Sequence, residues 1–183
     1  MRAITLFCIA FLSACGASAA KNPAGPADTP TRVKAALGGW KIRLEVSPGW
    51  SLDPGNQSAE AIIFDSKRMP ATALAVMLEP APPGSRAEAI AERWQGLSLL
   101  APMFDIKAMG RIIVTADEEN ASFVATGERG GVPMTLFCIV HLVTSDGNDA
   151  WAVVLAFSPT AYAAPTMQEA TRLVHTFSLA PLE

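Results

Sequence analysis

Cysteine is scarce in this sequence, with three in 183 residues, at positions 8, 15 and 138. Three thiols cannot build the multi-bridge framework that holds small secreted domains together, so any folded part must rely on an apolar core. Histidine is scarcer, with only His141 and His175, and a zinc site would have to recruit carboxylates to complete its ligand set. No Gly-x-Ser-x-Gly elbow, glycine-rich phosphate loop or His-Glu-x-x-His occurs, which removes the common hydrolase, nucleotide and metalloprotease signatures. Lys and Arg number 14 against 17 Asp and Glu. Without a basic patch or an arginine-rich run there is little counterion release to drive nucleic-acid binding, and that class is disfavoured.

What is present begins at the first residue. Met1 and Arg2 precede Ala3-Ile4-Thr5-Leu6-Phe7-Cys8-Ile9-Ala10-Phe11-Leu12, and Ser13-Ala14-Cys15 follows. One positive charge, a short apolar run and small residues describe a secretory signal. The uncharged stretch of about 12 residues is too short for a hydrocarbon core that needs about 20. Leu12-Ser13-Ala14-Cys15 resembles the lipobox of bacterial lipoproteins. That resemblance implies a diacylglycerol on Cys15, cleavage after Ala14, and a palmitate-type acyl chain on the new amine. Two or three chains anchor a protein stably where one does not, since each buried methylene adds about 0.8 kcal/mol. Gly16 stands where aspartate would favour inner-membrane retention, so the resemblance points to the periplasmic face of the outer membrane.

Residues 1–14 are thus expected to be a signal peptide, 15–36 a lipidated cysteine and flexible tether, and 37–183 one domain. Processing removes only Arg2 among the charged groups, leaving 13 basic and 17 acidic side chains. With Cys8 discarded and Cys15 acylated, Cys138 has no partner for an intramolecular bridge. The stretch after Gly16 is small, polar and proline-bearing (Lys21-Asn22-Pro23-Ala24-Gly25-Pro26). It buries too little to offset its ordering entropy, and 20 such residues reach about 60 Å when extended.

Trp40, Ile42, Leu44 and Val46 alternate with Lys41, Arg43 and Glu45, the period of a half-buried strand. Pro48-Gly49 breaks it before Trp50. Short strands are predicted at 61–64 and 72–78. Ser85-Arg86-Ala87-Glu88 reads as a capping box that opens a helix over 86–100, with Pro102 as its stop. A meander follows: 107–115, 122–126, a polar turn at 127–131, then long strands at 132–144 and 150–157. Met167, Ala170, Val174 and Phe177 form the stripe of a second helix with Pro165 near its start, and residues 178–183 read as a tail.

The two long strands decide the architecture. Met134, Leu136, Cys138, Val140 and Leu142 line one face, Phe137, Ile139 and Val143 the other, and Trp151 to Phe157 repeat the pattern. A sheet apolar on both faces must be covered on both. The predicted fold is therefore α+β, an antiparallel sheet with helices packed on its faces.

Pro48-Gly49-Trp50 after the first strand, the helix begun at Ser85, Gly130-Gly131 between long hairpin strands and the 170–177 helix ending at Ser178 are together similar to the PsbP-like family. That family includes the DcrB-type bacterial lipoproteins and a Ran-binding nuclear import factor. The resemblance spans roughly residues 38 to 180 and implies a three-layer sandwich that acts as a partner-binding or assembly module without catalysis.

The residues themselves offer little chemistry. Cys138 and His141 are three apart on one strand and face opposite ways. Cys138 lies in an apolar run, without the exposure and positive surroundings of a reactive thiol. Asp146-Gly147-Asn148-Asp149 lacks the remainder of a calcium loop and reads as a solvated turn, as does Asp117-Glu118-Glu119. No catalytic, cofactor or metal residue is assigned. Trp40, Trp50, Trp94 and Trp151 are core anchors or, as the alternative, partner or pocket contacts. The expected role is a non-enzymatic, membrane-anchored periplasmic module binding an envelope protein. The alternatives are a carrier of small apolar ligands or lipids, with a cavity lined by Phe123, Phe137 or Trp151, and a hydrolase in which His141 or His175 meets a carboxylate and a serine.

Overall fold

The computed structural model describes residues 30–181 apart from 54–57, 59, 101–112 and 146–147. The predicted signal peptide, Cys15 and the first part of the predicted tether lie outside the described residues. Within them the order is β1 (Thr31–Leu37), β2 (Trp40–Val46), β3 (Trp50–Leu52), β4 (Ala61–Ser66), β5 (Ala73–Pro80), α1 (Ala87–Leu100), β6 (Ile113–Ala116), β7 (Asn120–Arg129), β8 (Val132–Ser145), β9 (Asn148–Pro159), α2 (Ala163–Thr176) and β10 (Ser178–Pro181).

A seven-stranded sheet runs in the order β3-β4-β5-β9-β8-β7-β6, with all neighbouring strands antiparallel. The β7–β8 hairpin turns on Gly130 and Gly131 at φ +57° and +81°, the two positive-φ positions that a tight twist-matched hairpin requires. That turn is shorter than the five polar residues suggested, because Gly127, Glu128 and Arg129 still pair, Arg129 opposite Val132.

Both faces of this sheet are buried, as the alternation of β8 and β9 demands. On one face Leu136, Cys138, Val140, Phe123, Trp151 and Val153 pack under α1. Ala87 and Ala91 of α1 are fully buried there, and their small side chains let the helix axis come close to the strands. On the other face Phe137, Val154 and Ala156 meet Ala170, Leu173 and Val174 of α2, together with Ile42, Leu44 and Val46. The three-layer α+β sandwich follows from those two cores. Each fully buried Leu, Ile or Val contributes about 1.5–3 kcal/mol.

The second cover contains more than a helix. β1, β2 and β10 form a separate three-stranded antiparallel sheet with β2 in the middle. Two sequence expectations are corrected here. Thr31–Leu37, placed largely within the tether, is a strand, because Gly38 and Gly39 at φ +57° and +88° fold it back onto β2 in a two-residue hairpin. Ser178–Pro181, read as a tail, is the strand on the other side of β2, seated by Leu179 in the core. The second helix ends at Thr176, and Phe177 is its extended cap residue.

A buried ionic clamp fastens α2 to the small sheet. Glu169, 6% exposed, accepts the backbone N–H of Ser47 at 2.8 Å and two hydrogen bonds from Arg172, Nη2 at 2.8 Å and Nε at 3.2 Å. The same Arg172 Nη2 donates to the Glu45 carbonyl at 2.7 Å. Burial alone would raise the Glu169 pKa, but the bonds from Arg172 and Ser47 overcome it and hold the carboxyl below its ordinary range.

Ser85 lies just ahead of α1. Its Oγ accepts the indole N–H of Trp151 at 3.0 Å, tying the head of α1 to β9. Midway along α1 Trp94 donates to Glu79 Oε1 at 2.7 Å, and Arg93 pairs with the same carboxylate.

Candidate binding surface

The tryptophans are distributed by these cores. Trp151 is 1% exposed and Trp50 8%, while Trp40 and Trp94 are half-buried and pack against the α2-side and α1-side cores respectively. Trp50 is delivered inward by Gly49, whose φ of +96° turns the chain immediately before it. Cys15, the lipidation candidate, lies outside the described residues.

A concavity lies elsewhere. A depression of about 280 Å³ opens between the β6–β7 turn, β8 and the C-terminal half of α2. Phe137, Ile139 and Val174 supply apolar lining, with Ala116 and Ala121, and Asp117, Asn120, Ser122, Thr171 and His175 supply polar groups. Register explains the assembly: Ser122 lies opposite Ile139 on adjacent strands, on the sheet face that α2 covers.

The turn at its rim is self-contained. Asp117 Oδ1 accepts the backbone N–H groups of Glu119 at 2.9 Å and Asn120 at 2.6 Å, plus the Asn120 side-chain amide at 3.1 Å. Those backbone bonds hold its carboxyl below the usual range. His141 Nδ1 is 2.6 Å from Asn120 Oδ1, which assigns Nδ1 the proton. Burial first, then the nearby His175, push the His141 pKa down against the pull of Glu119 and Asp117.

Asp117, Ser122 and His175 therefore share one hollow, the convergence that a hydrolase would need, yet the bonds are those of a turn. Asp117 is committed to amides and His141 to an amide oxygen, with no His–carboxylate or Ser–His hydrogen bond among those found in the described residues. A nucleophile needs a base within hydrogen-bond reach and an orienting partner behind it. Cys138 is fully buried, on the face opposite His141, and burial pushes its thiol pKa far up. Among the described residues no group of three His, Cys, Asp or Glu is placed to hold a metal. Sequence reasoning did not foresee Asn120 and Ser122 of β7 as neighbours of Thr171, because β7 and α2 are distant in the chain.

This layout defines a sandwich of the PsbP-like and Mog1-like fold. Solved structures share it over nearly their whole length. LpqN of Mycobacterium tuberculosis, described as involved in cell envelope biogenesis, aligns at TM-score 0.50 and 11% identity over 83% of this chain and 92% of that one. The Saccharomyces cerevisiae Ran-binding protein Mog1p aligns at TM-score 0.55 and 11% identity over 81% and 95%. Cyanobacterial PsbP from Synechocystis aligns at TM-score 0.50 and 10% identity over 92% and 99%. No protein-family model matches the sequence, and no curated protein matches it.

Proposed function

We propose that the chain is a non-enzymatic, lipid-anchored lipoprotein of the cell envelope whose sandwich domain binds another envelope protein. The observation that carries this reading is the run Leu12-Ser13-Ala14-Cys15 at the head of the chain, joined to a folded part whose polar groups are spent on turns and clamps. The likeness to LpqN, a protein tied by its description to envelope biogenesis, supports the compartment, and the Ran-binding Mog1p shows that this fold can carry protein recognition. With Gly16 after the cysteine, the periplasmic face of the outer membrane is the destination.

The carrier alternative loses ground on geometry. Phe123 and Trp151 belong to the core under α1, whereas Phe137 belongs to the core under α2. Of the three, Phe137 lines the depression beside α2, and five polar residues share that lining.

Intact-mass analysis of the native protein tests the anchor. A mass equal to residues 15–183 plus acyl groups, lost in Cys15→Ser, is expected; a native terminus at another residue without acyl mass overturns it. Binding is tested by titrating the lipidated protein, in detergent, against reconstituted candidate envelope proteins. Saturable binding to one of them is expected, and absence of saturable binding across the envelope proteome counts against the module reading.

A further inference from the structure

The layer behind the large sheet is narrower than the sheet it covers. α2 lies across β9 and β8, while β7 and β6 carry the sheet on past it. On this side β7 presents Ser122 and Val124, both half-buried. The depression occupies the step between β7 and the helix. Phe137, Ile139 and Val174 make an apolar floor. Thr171 and His175, one turn apart on α2 and both exposed, make the wall.

The mouth of the depression is acidic. Asp117 lines it, and Glu118 and Glu119 follow at the corner of the β6–β7 turn, all three exposed. The bonds that Asp117 accepts come from backbone and side-chain amides, neutral donors that leave its charge in place. The ion pairs of the described residues join Arg32 to Glu45, Arg93 to Glu79 and Arg172 to Glu169, and the three acids of this turn have none. Two imidazoles stand against them: His175 in the lining and His141 beside the turn, whose neutral form is favoured by burial.

An apolar floor under an acidic mouth suits one kind of occupant. At about 280 Å³ the space falls just below the roughly 300 Å³ at which small-molecule pockets begin. It has room for one large apolar side chain, and such a side chain set in a desolvated pocket is the usual anchor of a protein interface. The carboxylates select the neighbours of that anchor, since they attract cations and repel anions. The chain's own segment ahead of β1 supplies no such anchor. Residues 16–29 offer alanine and proline as their apolar side chains and Lys21 as their one cation.

We infer that the depression seats a protein partner through a leucine-sized or aromatic side chain flanked by lysine or arginine. The apolar group enters over Phe137, Ile139 and Val174, and the flanking cations meet Asp117, Glu118 and Glu119. The inference rests on the reading of the chain as a protein-binding module, to which it adds the surface and the chemistry of the partner.

The test uses the polypeptide from position 15 onward carrying Cys15→Ser, which keeps every described element. It is isotopically labelled and titrated with the capped peptide Gly-Lys-Leu-Lys-Gly. Saturable amide shifts confined to the β6–β7 turn, β8 and the C-terminal half of α2 are expected. Gly-Lys-Ala-Lys-Gly, which lacks the anchor, is expected to bind about tenfold more weakly, and Gly-Glu-Leu-Glu-Gly to give no saturable shifts. Glu118→Lys reverses one charge at the mouth and is expected to weaken the leucine-lysine peptide about fivefold. Thr171→Trp, at an exposed position of α2, fills the space and is expected to abolish the shifts at Ile139 while the melting temperature holds, separating lost binding from lost folding. Shifts scattered over the whole surface, equal binding of the glutamate peptide, undiminished binding by Thr171→Trp, or no saturable binding of the leucine-lysine peptide overturns the inference. The two readings fail separately. An envelope protein that binds the wild type saturably, and Thr171→Trp and Glu118→Lys equally well, preserves the module and sinks this seat. Peptide binding at the depression with no saturable envelope partner does the reverse.

Discussion

The molecule contains two Gly-Gly hairpins built alike and buried differently. Gly130-Gly131 joins β7 to β8, and Gly38-Gly39 joins β1 to β2, all four glycines at positive φ. The first hairpin lies in the large sheet, where β8 is covered on both faces. The second is covered on one face and presents Lys34, Lys41 and Arg43 on the other. The same turn chemistry thus serves a strand pair whose identity is written in apolar residues and one whose outer residues are free to be chosen for something besides folding. The large sheet supplies the rigid frame, and the small sheet covers it while offering a surface.

Breaking the frame has the largest expected effect. Trp151→Ala empties the fully buried centre of the α1-side core and orphans Ser85 from its indole. Large aromatic truncations of this kind cost about 3–5 kcal/mol. Ile42→Ala, its counterpart behind the small sheet, lies at 1% exposure and falls within the same rule at about 2–5 kcal/mol. The comparison is sharpened by where opening occurs. Chemical denaturation of Trp151→Ala should remain one cooperative transition at reduced stability, whereas in Ile42→Ala amide exchange should accelerate first in β1, β2 and β10. Uniform acceleration across β7 and β8 in Ile42→Ala would show that the two sheets open as one unit.

Next in size is the clamp that joins the layers. Glu169→Ala removes three hydrogen bonds to a carboxylate and leaves Arg172 half-buried without its partner. Removing one partner of a buried ion pair costs about 3–5 kcal/mol, and Arg172 is partly exposed and keeps the Glu45 carbonyl, so a loss at the low end, about 3 kcal/mol, is expected. Because the folded-state pKa is depressed below the ordinary 4.5, this stability is present above 4.5 and lost as pH falls through the folded value. Acid titration of wild type should therefore show a late step that Glu169→Ala lacks, and an unchanged acid limb in the variant would refute the assignment.

The same contrast explains which parts of the fold were legible in the sequence. The two-faced alternation of β8 and β9 announced a covered sheet, and the helices that cover it announced themselves through Ser85 and the 167–174 stripe. The small sheet gave weaker signals. In β1 the inward residues are Val33, Ala35 and Leu37, and a preceding run of prolines and small residues suggested a tether throughout. Gly38-Gly39 after that alternation was the available sign of a hairpin. β10 has one large apolar residue, Leu179, and its pairing partner β2 is more than 130 residues away in sequence, so no local period could reveal it. The depression was hidden for the same reason, since Asp117, Ile139 and His175 meet only after three distant elements pack.

The two turns can be compared directly at equal local geometry. A side chain at Gly39 or Gly131 would meet no atom within 4 Å, so Ala at either costs only its left-handed backbone, about 1–2 kcal/mol. Equal losses in melting experiments are expected for Gly39→Ala and Gly131→Ala. A much smaller loss for Gly39→Ala would mean that the β1–β2 hairpin is already open in a sizeable fraction of molecules.

The smallest expected effect lies at the joint between the layers, where His141 of β8 faces His175 of α2 with Glu119 and Asp117 at the turn. Burial and the neighbouring imidazole favour the neutral form, so the folded-state pKa lies below the ordinary 6.5. The unfolded chain then binds the proton more readily, and the stabilisation is complete above 6.5 and declines as pH falls through 6.5 toward the folded value. Melting temperature should therefore begin to drop near that pH, well before the Glu169 step. His141→Gln, which retains a donor toward Asn120 Oδ1 but cannot titrate, should flatten this first decline while leaving the later one. If the decline persists unchanged in His141→Gln, the titrating group lies elsewhere and the α2–β8 joint is indifferent to protons.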